Sequence, residues 1–163
     1  MRLLFKKSRF LFLASLVFVS LGGCSGEPED PKTKIEAMID LVEAAAEKSS
    51  VTLFSEHISE QYKDQHHGNR QRIIRSLLGY FHRNKNIHLF TRIRNIEISN
   101  QNPDSAKASV NVAMTGTQVD SAEKLLLLRA RVYRFDIDLG YENDQWMIRT
   151  AAWQRIQVKD FLD

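Results

Sequence analysis

After Asn86 the spacing of apolar residues changes from a helical repeat to strict alternation. That one change limits the chain to a helical first part packed on an antiparallel second part. On the N-terminal side, Ile35, Met38, Ile39, Val42 and Ala45 or Ala46 recur at helical spacing, with Glu36, Asp40, Glu43 and Glu47 on the remaining face. This predicts a helix over about 31–48. Ser50 is a cap for a short second helix carrying Val51, Leu53 and Phe54. Asn69 caps a third that reaches residue 81 or 82, with Ile73, Ile74, Leu77, Leu78 and Phe81 as its buried stripe and Arg70, Arg72, Arg75 and Ser76 outward or at its edges.

Beyond Asn86, Ile87, Leu89, Thr91 and Ile93 share one strand face, whereas Ile96 and Ile98 have the opposite parity. A parity change without turn residues predicts a β-bulge near Arg94-Asn95. After a turn over 100–104, Ala108, Val110, Val112 and Met114 alternate with Lys107, Ser109, Asn111 and Thr115. A polar connection over 116–123 leads to a long strand expected over about 125–141. There Tyr133, Phe135, Ile137 and Leu139 face one way and Arg134, Asp136 and Asp138 the other. Glu142-Asn143-Asp144 turns the chain into a last strand that runs through Trp146 and Trp153 toward Val158. The expected fold class is α+β, three N-terminal helices packed on a curved antiparallel sheet of about four long strands. Trp146, Phe135, Ile137, Leu77 and Phe81 are expected to be largely buried between the layers.

The first 23 residues have a different character. Arg2, Lys6, Lys7 and Arg9 precede an apolar run over 10–21, which is too short for a stable membrane-crossing helix. Leu21-Gly22-Gly23-Cys24 follows, and Cys24 is the only cysteine. This run resembles the lipobox of bacterial lipoproteins. The resemblance implies cleavage before Cys24, a diacylglycerol on its thiol and acylation of the new amino group. An ordinary cleaved signal peptide or an uncleaved anchor helix are the alternatives. A lone thiol in an exported protein has no internal disulfide partner, so lipidation also removes an oxidation liability. Ser25 in place of an aspartate leans toward the outer membrane, facing the periplasm. The domain division that follows is a signal peptide over 1–23, a flexible tether over 24–31 and a folded domain over 32–160.

The charge balance changes once this segment is set aside. The whole chain carries 23 Lys and Arg against 20 Asp and Glu. Four of the basic residues sit in the leader, so beyond it the acidic residues exceed the basic ones by one. The apparent basicity belongs to export and excludes the concentrated positive footprint of a nucleic-acid-binding domain.

The order of elements resembles a second family, the cone-shaped fold of the nuclear transport factor 2-like and SnoaL-like superfamily, which includes ketosteroid isomerase and polyketide-cyclase-like proteins. The residues that carry it are the short helix and aromatic-ended loop Leu53–Tyr62, the strand Tyr133–Leu139, and Asn143-Asp144-Gln145-Trp146-Met147-Ile148 with Ala152-Trp153 behind it. It spans roughly residues 32–158 and implies a pocket between helices and sheet. The fold hosts enzymes, binding modules and interaction domains alike.

No catalytic set stands out. The isomerase branch's acid and base residues have no match, and Ser55, Ser59 and Ser76 lack a nucleophile's partners. The histidines have no carboxylate at metal-ligand spacing, and no cofactor motif occurs. Tyr62, Tyr80, His82, Arg134 and Asp136 are the candidates for a pocket or a polar surface. Arg129 and Arg131, with Arg92 and Arg94, are further candidates for a polar sheet face. The reading that follows is a lipid-anchored periplasmic domain acting as a non-enzymatic ligand- or protein-binding module. The alternatives are a small-molecule isomerase, cyclase or hydratase using the pocket, or an accessory protein of envelope assembly or secretion. Expected partners are membrane lipid through Cys24, a small apolar ligand or an envelope protein, and a second copy paired through the exposed sheet face, with a lipid-anchored monomer as the competing case.

Intact-mass measurement of the protein from the membrane fraction is expected to show loss of residues 1–23 and a gain of acyl mass at Cys24. Cys24→Ser is expected to block processing or release the domain. An unmodified Cys24 in native protein overturns the lipobox reading.

Overall fold

The computed structural model describes residues 29–118, 121, 124–127 and 130–162. Cys24, the leader, most of the tether and Arg129 lie outside the described residues. Among the described residues nine elements follow in order: α1 (Pro31–Glu47), α2 (Val51–Ser55), α3 (Arg70–Arg83), β1 (His88–Ile98), β2 (Ser105–Thr115), α4 (Lys124–Leu127), β3 (Arg131–Glu142), β4 (Gln145–Ile156) and α5 (Val158–Leu162). Local chemistry sets the helix starts. Pro31 opens α1, where its missing N–H costs nothing. Ser50 Oγ accepts from the Leu53 N–H at 3.3 Å, and Asn69 Oδ1 from the Arg72 N–H at 3.1 Å, so both expected caps are made.

The four strands form one antiparallel sheet in the order β1-β2-β3-β4. The register of β1 on β2 slips between Ile93 and Asn95, where the parity of the isoleucines calls for it. The extra residue returns Ile96 and Ile98 to the face of Ile93, and it bends the strand. A second irregularity lies between Asp138 and Leu139 on β3, opposite Arg149 on β4. The β3–β4 turn has Asn143 at φ 50° and Asp144 at φ 64°. Left-handed backbone at both central residues is what a two-residue hairpin needs to match strand twist.

Helices α1–α3 cover the concave face. Ile35, Met38 and Ile39 of α1 pack with Ile96, Ala106, Ala108, Leu139, Trp146 and Ile148 of the sheet to form the main core. The segment after α2 is held along β4. The Ile148 N–H donates to His57 O at 2.8 Å, the Ser59 N–H to Ile148 O at 3.0 Å and the Lys63 N–H to Arg149 O at 3.0 Å. Ser59, fully buried, donates to the Glu142 carboxylate at 2.9 and 3.1 Å. Arg149 Nε donates to the same carboxylate at 2.6 Å. Gly140 makes the crossing possible, since a Cβ there would lie 2.1 Å from the Arg149 side chain.

The outer face departs from expectation. Lys124–Leu127 is a helical turn, not the start of a strand, so β3 begins only at Arg131. The last strand ends at Ile156 and gives way to α5. Phe161 of α5 and Leu125 of α4, both fully buried, close on the outward row Phe90–Ala113–Val132–Ile156 and make a second, smaller core. Asn111, on the polar face of β2 as its alternation implies, is nonetheless fully buried beneath α5. Its Nδ2 donates to Asp160 O at 3.2 Å and its Oδ1 accepts from Arg134 Nε at 3.2 Å. Val132 and Ala130 of the outer face are packed in this second core and so are not free for pairing with a second copy. Asp136 and Asp138 stay exposed on that face.

The inner face also needs correction. Trp146 and Phe81 are buried, but Phe135, Ile137 and Leu77 are only half-buried, and Leu78 is exposed. The helical stripe is real, but α3 does not lie flat on the sheet, and part of the stripe faces a space.

Phe161→Ala is expected to lower stability by about 3–5 kcal/mol, the cost of emptying a closed aromatic site. Chemical denaturation of the variant against the parent measures it. An unchanged midpoint would remove α5 from the folded unit.

Candidate functional site

The space is a cavity of about 800 Å³ between the helices and the concave sheet face. That size is typical of small-molecule pockets. Its floor is apolar in successive rows: Val112 and Tyr133, then Val110, Phe135 and Trp153, then Ile137 and Ala151. Met38, Ile39 and Val42 of α1 form one wall, with Phe54 and Ile58 beyond, and Ile73, Leu77, Tyr80 and Phe81 of α3 form the roof. Arg83, Asn84, Asn86, Thr115, Thr117 and Arg131 line it where α3 ends above the end of β2. The Tyr80 hydroxyl, 3.6 Å from Met114 Sδ, fixes that end of α3 over the sheet.

Few polar groups enter the apolar interior, and Glu43 is the one carboxyl among the lining residues. Glu43 of α1 lines the cavity beside Thr91 on the β1 side. Burial pushes its pKa up, a hydrogen bond from Thr91 opposes this, and the nearby charges of Glu47 and Asp40 push it further up. On the β4 side, Tyr62 and His67 line the wall, and both bond to Asp64. The Tyr62 hydroxyl donates to Asp64 Oδ2 at 2.7 Å, and His67 Nδ1 lies 2.8 Å from the same oxygen. Asp64 Oδ1 accepts from the backbone N–H groups of His67 and Gly68, the latter at 3.0 Å. The Asp64 side chain is fully buried. Burial pushes its pKa up, but the bonds from Tyr62, from the His67 ring and from the two N–H groups outweigh that and hold it well below the usual carboxylate range. The Tyr62 phenol is pushed well above its ordinary value, by burial first and then by its bond to and the charge of Asp64. The His67 ring stacks on Trp153 with centroids 5.5 Å apart and planes at 26°.

The structure separates the residues singled out from sequence. Tyr62 and Tyr80 line the cavity. His82 is exposed on α3, away from the cavity lining. Arg134 and Asp136 lie on the outer sheet face, where Arg134 binds Asn111 and Asp136 accepts from Ser109 Oγ at 2.9 Å. Among the described residues no group of three His, Cys, Asp or Glu is placed to hold a metal ion. Sequence reasoning missed Glu43, Asp64 and His67. Signals for them exist. Glu43 falls in line with Ile39 and Ala46 at i, i+4 and i+7 spacing, and Asp64 precedes His67-Gly68 in the pattern of an aspartate that closes its own turn.

No protein-family model and no curated protein matches the sequence. Solved structures do share the fold. A domain of unknown function with a cystatin-like fold from Nostoc punctiforme is 18% identical, with a TM-score of 0.62, covering 81% of this chain and 83% of that one. A candidate dehydratase of the NTF2-like family from Streptomyces avermitilis is 12% identical, with a TM-score of 0.62, covering 80% and 99%. An NTF2-like protein of unknown function from Shewanella oneidensis is 13% identical, with a TM-score of 0.55, covering 76% and 98%. At these identities the likeness is one of fold alone. It shows the NTF2-like cone, with helices on a curved, open, four-stranded antiparallel sheet.

Glu43 generates a pH prediction. A carboxyl whose pKa is raised by folding favours the folded state below its unfolded pKa, and that contribution is lost as pH rises through the folded value. Glu43→Gln is therefore expected to melt at a higher temperature than the parent at neutral pH. The difference is expected to close as pH falls through the carboxylate range. Melting curves across pH check it, and a variant less stable at pH 7 would contradict it.

Proposed function

We propose that this chain is a lipid-anchored domain of the bacterial cell envelope that binds an apolar small molecule in the cavity between its helices and its sheet. The observation that carries the reading is the cavity itself, about 800 Å³ with half-buried aromatic and aliphatic side chains turned into it. Apolar side chains held apart around a space lose contacts that a guest would restore. The floor residues Tyr133, Phe135 and Trp153 offer aromatic faces to a guest, and the scarce polar groups at Glu43 and His67 would fix its orientation. The anchor is supported by the Leu21–Cys24 run, and Ser25 favours the outer membrane with the domain facing the periplasm. Three acyl chains at one residue, two from the diacylglycerol and one on the amino group, would meet the requirement for more than one hydrophobic signal in stable anchoring. The polar tether then leaves the domain free to meet ligands near the membrane surface.

The test uses N-phenyl-1-naphthylamine, an uncharged apolar dye whose emission rises on leaving water. The parent protein is expected to bind it saturably. Val112→Phe, which places a larger ring in the cavity floor, is expected to weaken binding at least about tenfold, or roughly 1.4 kcal/mol. Absence of saturable binding by a folded parent overturns the reading.

A further inference from the structure

We infer that His67 is a proton-accepting site in the cavity wall, oriented by Asp64 to take a proton from an activated C–H of an apolar guest. This rests on the reading that the cavity takes a guest. The geometry fixes the tautomer. Every group that meets the Asp64 carboxylate is a donor: the Tyr62 hydroxyl, the N–H groups of His67 and Gly68, and the His67 ring. A carboxylate so surrounded only accepts, so Nδ1 of the neutral imidazole carries the hydrogen and Nε2 presents its lone pair. Nε2 has no hydrogen-bond partner among the described residues, while the ring forms part of the cavity wall.

The surroundings suit a base. Asp64, its side chain fully buried, stabilises the imidazolium formed when Nε2 takes a proton. The Trp153 ring stacked on the imidazole limits its rotation. The titratable groups facing His67 are Asp64, Tyr62 and His66 from its own loop, the His66 ring with its centroid 6.4 Å away. Glu43 is the carboxyl on the β1 side of the cavity. In the chemical step Nε2 takes the proton, the C–H electron pair becomes a new π bond, and a leaving group on the adjacent atom departs with its own pair. The substrate class is an apolar body bearing an acidified C–H next to a bond that can break. The products are the unsaturated molecule and the released anion.

The probe is 5-nitrobenzisoxazole, a small planar molecule that fits this class. Removal of its C3 proton turns the C–H pair into the third bond of a nitrile while the N–O bond breaks, giving the coloured 2-cyano-4-nitrophenolate. The parent is expected to open the ring with a rate that rises with pH through one ionisation to a plateau. His67→Gln keeps a donor toward Asp64 and is expected to lower the rate roughly 100-fold, within the range of a positioned general base. Its melting temperature shows whether the fold survives. Val112→Phe, which leaves the His67–Asp64 pair intact, is expected to suppress the rate by excluding the probe. His66→Gln is expected to keep it. Dye binding without ring opening above the His67→Gln level overturns the inference and leaves the binding reading standing. So does a rate lost in Glu43→Gln and kept in His67→Gln. No dye binding and no ring opening overturn both.

Discussion

A straight helix cannot stay in contact with a bent sheet along its whole length, and the cavity is the space this mismatch leaves. The bend is written into β1 by one extra residue between Ile93 and Asn95. Past the bulge, Ile96 and Ile98 pack against the main core. Toward the other end, Thr91 and the facing Val112 and Tyr133 line the open volume. Half-buried Phe135, Ile137 and Leu77 follow from the same geometry. They carry core-like chemistry, each meeting neighbours on one side and turned to the cavity on the other.

Keeping such a space open requires that its walls be held by something other than filling. The loop after α2 is bonded along β4 by backbone groups, and Ser59, Glu142 and Arg149 tie it to the β3–β4 hairpin. Arg70 adds bonds from α3 to the carbonyls of Ile58 and Ser55, at 3.0 and 3.1 Å. These polar ties are buried or half-buried and mutually satisfied, so they fix positions that loose apolar packing would leave variable. On the opposite side, α4 and α5 close the outer face with a second core and so hold the sheet in shape from behind.

The two carboxyls near the cavity show how environment divides one chemistry into two roles. Asp64 is fully buried yet held ionised by four donors. Burial, and then two acidic neighbours on α1, lead Glu43 to keep its proton to higher pH, against the opposing hydrogen bond from Thr91. The first is built to orient His67, and the second offers the cavity a carboxyl that changes charge more readily.

The sequence by itself determined the elements that depend on local pattern. The change of period after Asn86, the caps at Ser50 and Asn69, the bulge near Asn95 and the turn at Asn143-Asp144 are all legible, because each is a matter of neighbouring residues and backbone preference. Even the α+β class and its layering follow from that order. The meetings between distant segments depend on the folded chain as a whole. Leu125 and Phe161 converge on an outer row that reads as solvent-facing, because alternation tells a strand which residues share a face but not what will cover it. Asn111 becomes buried for the same reason. Tyr62, Asp64 and His67 are near in sequence, yet their place in a cavity wall depends on Trp153 from β4, about ninety residues along the chain. Periodicity marks a side chain as apolar-facing, but whether it meets a neighbour or an empty space is set by the curvature of the whole sheet.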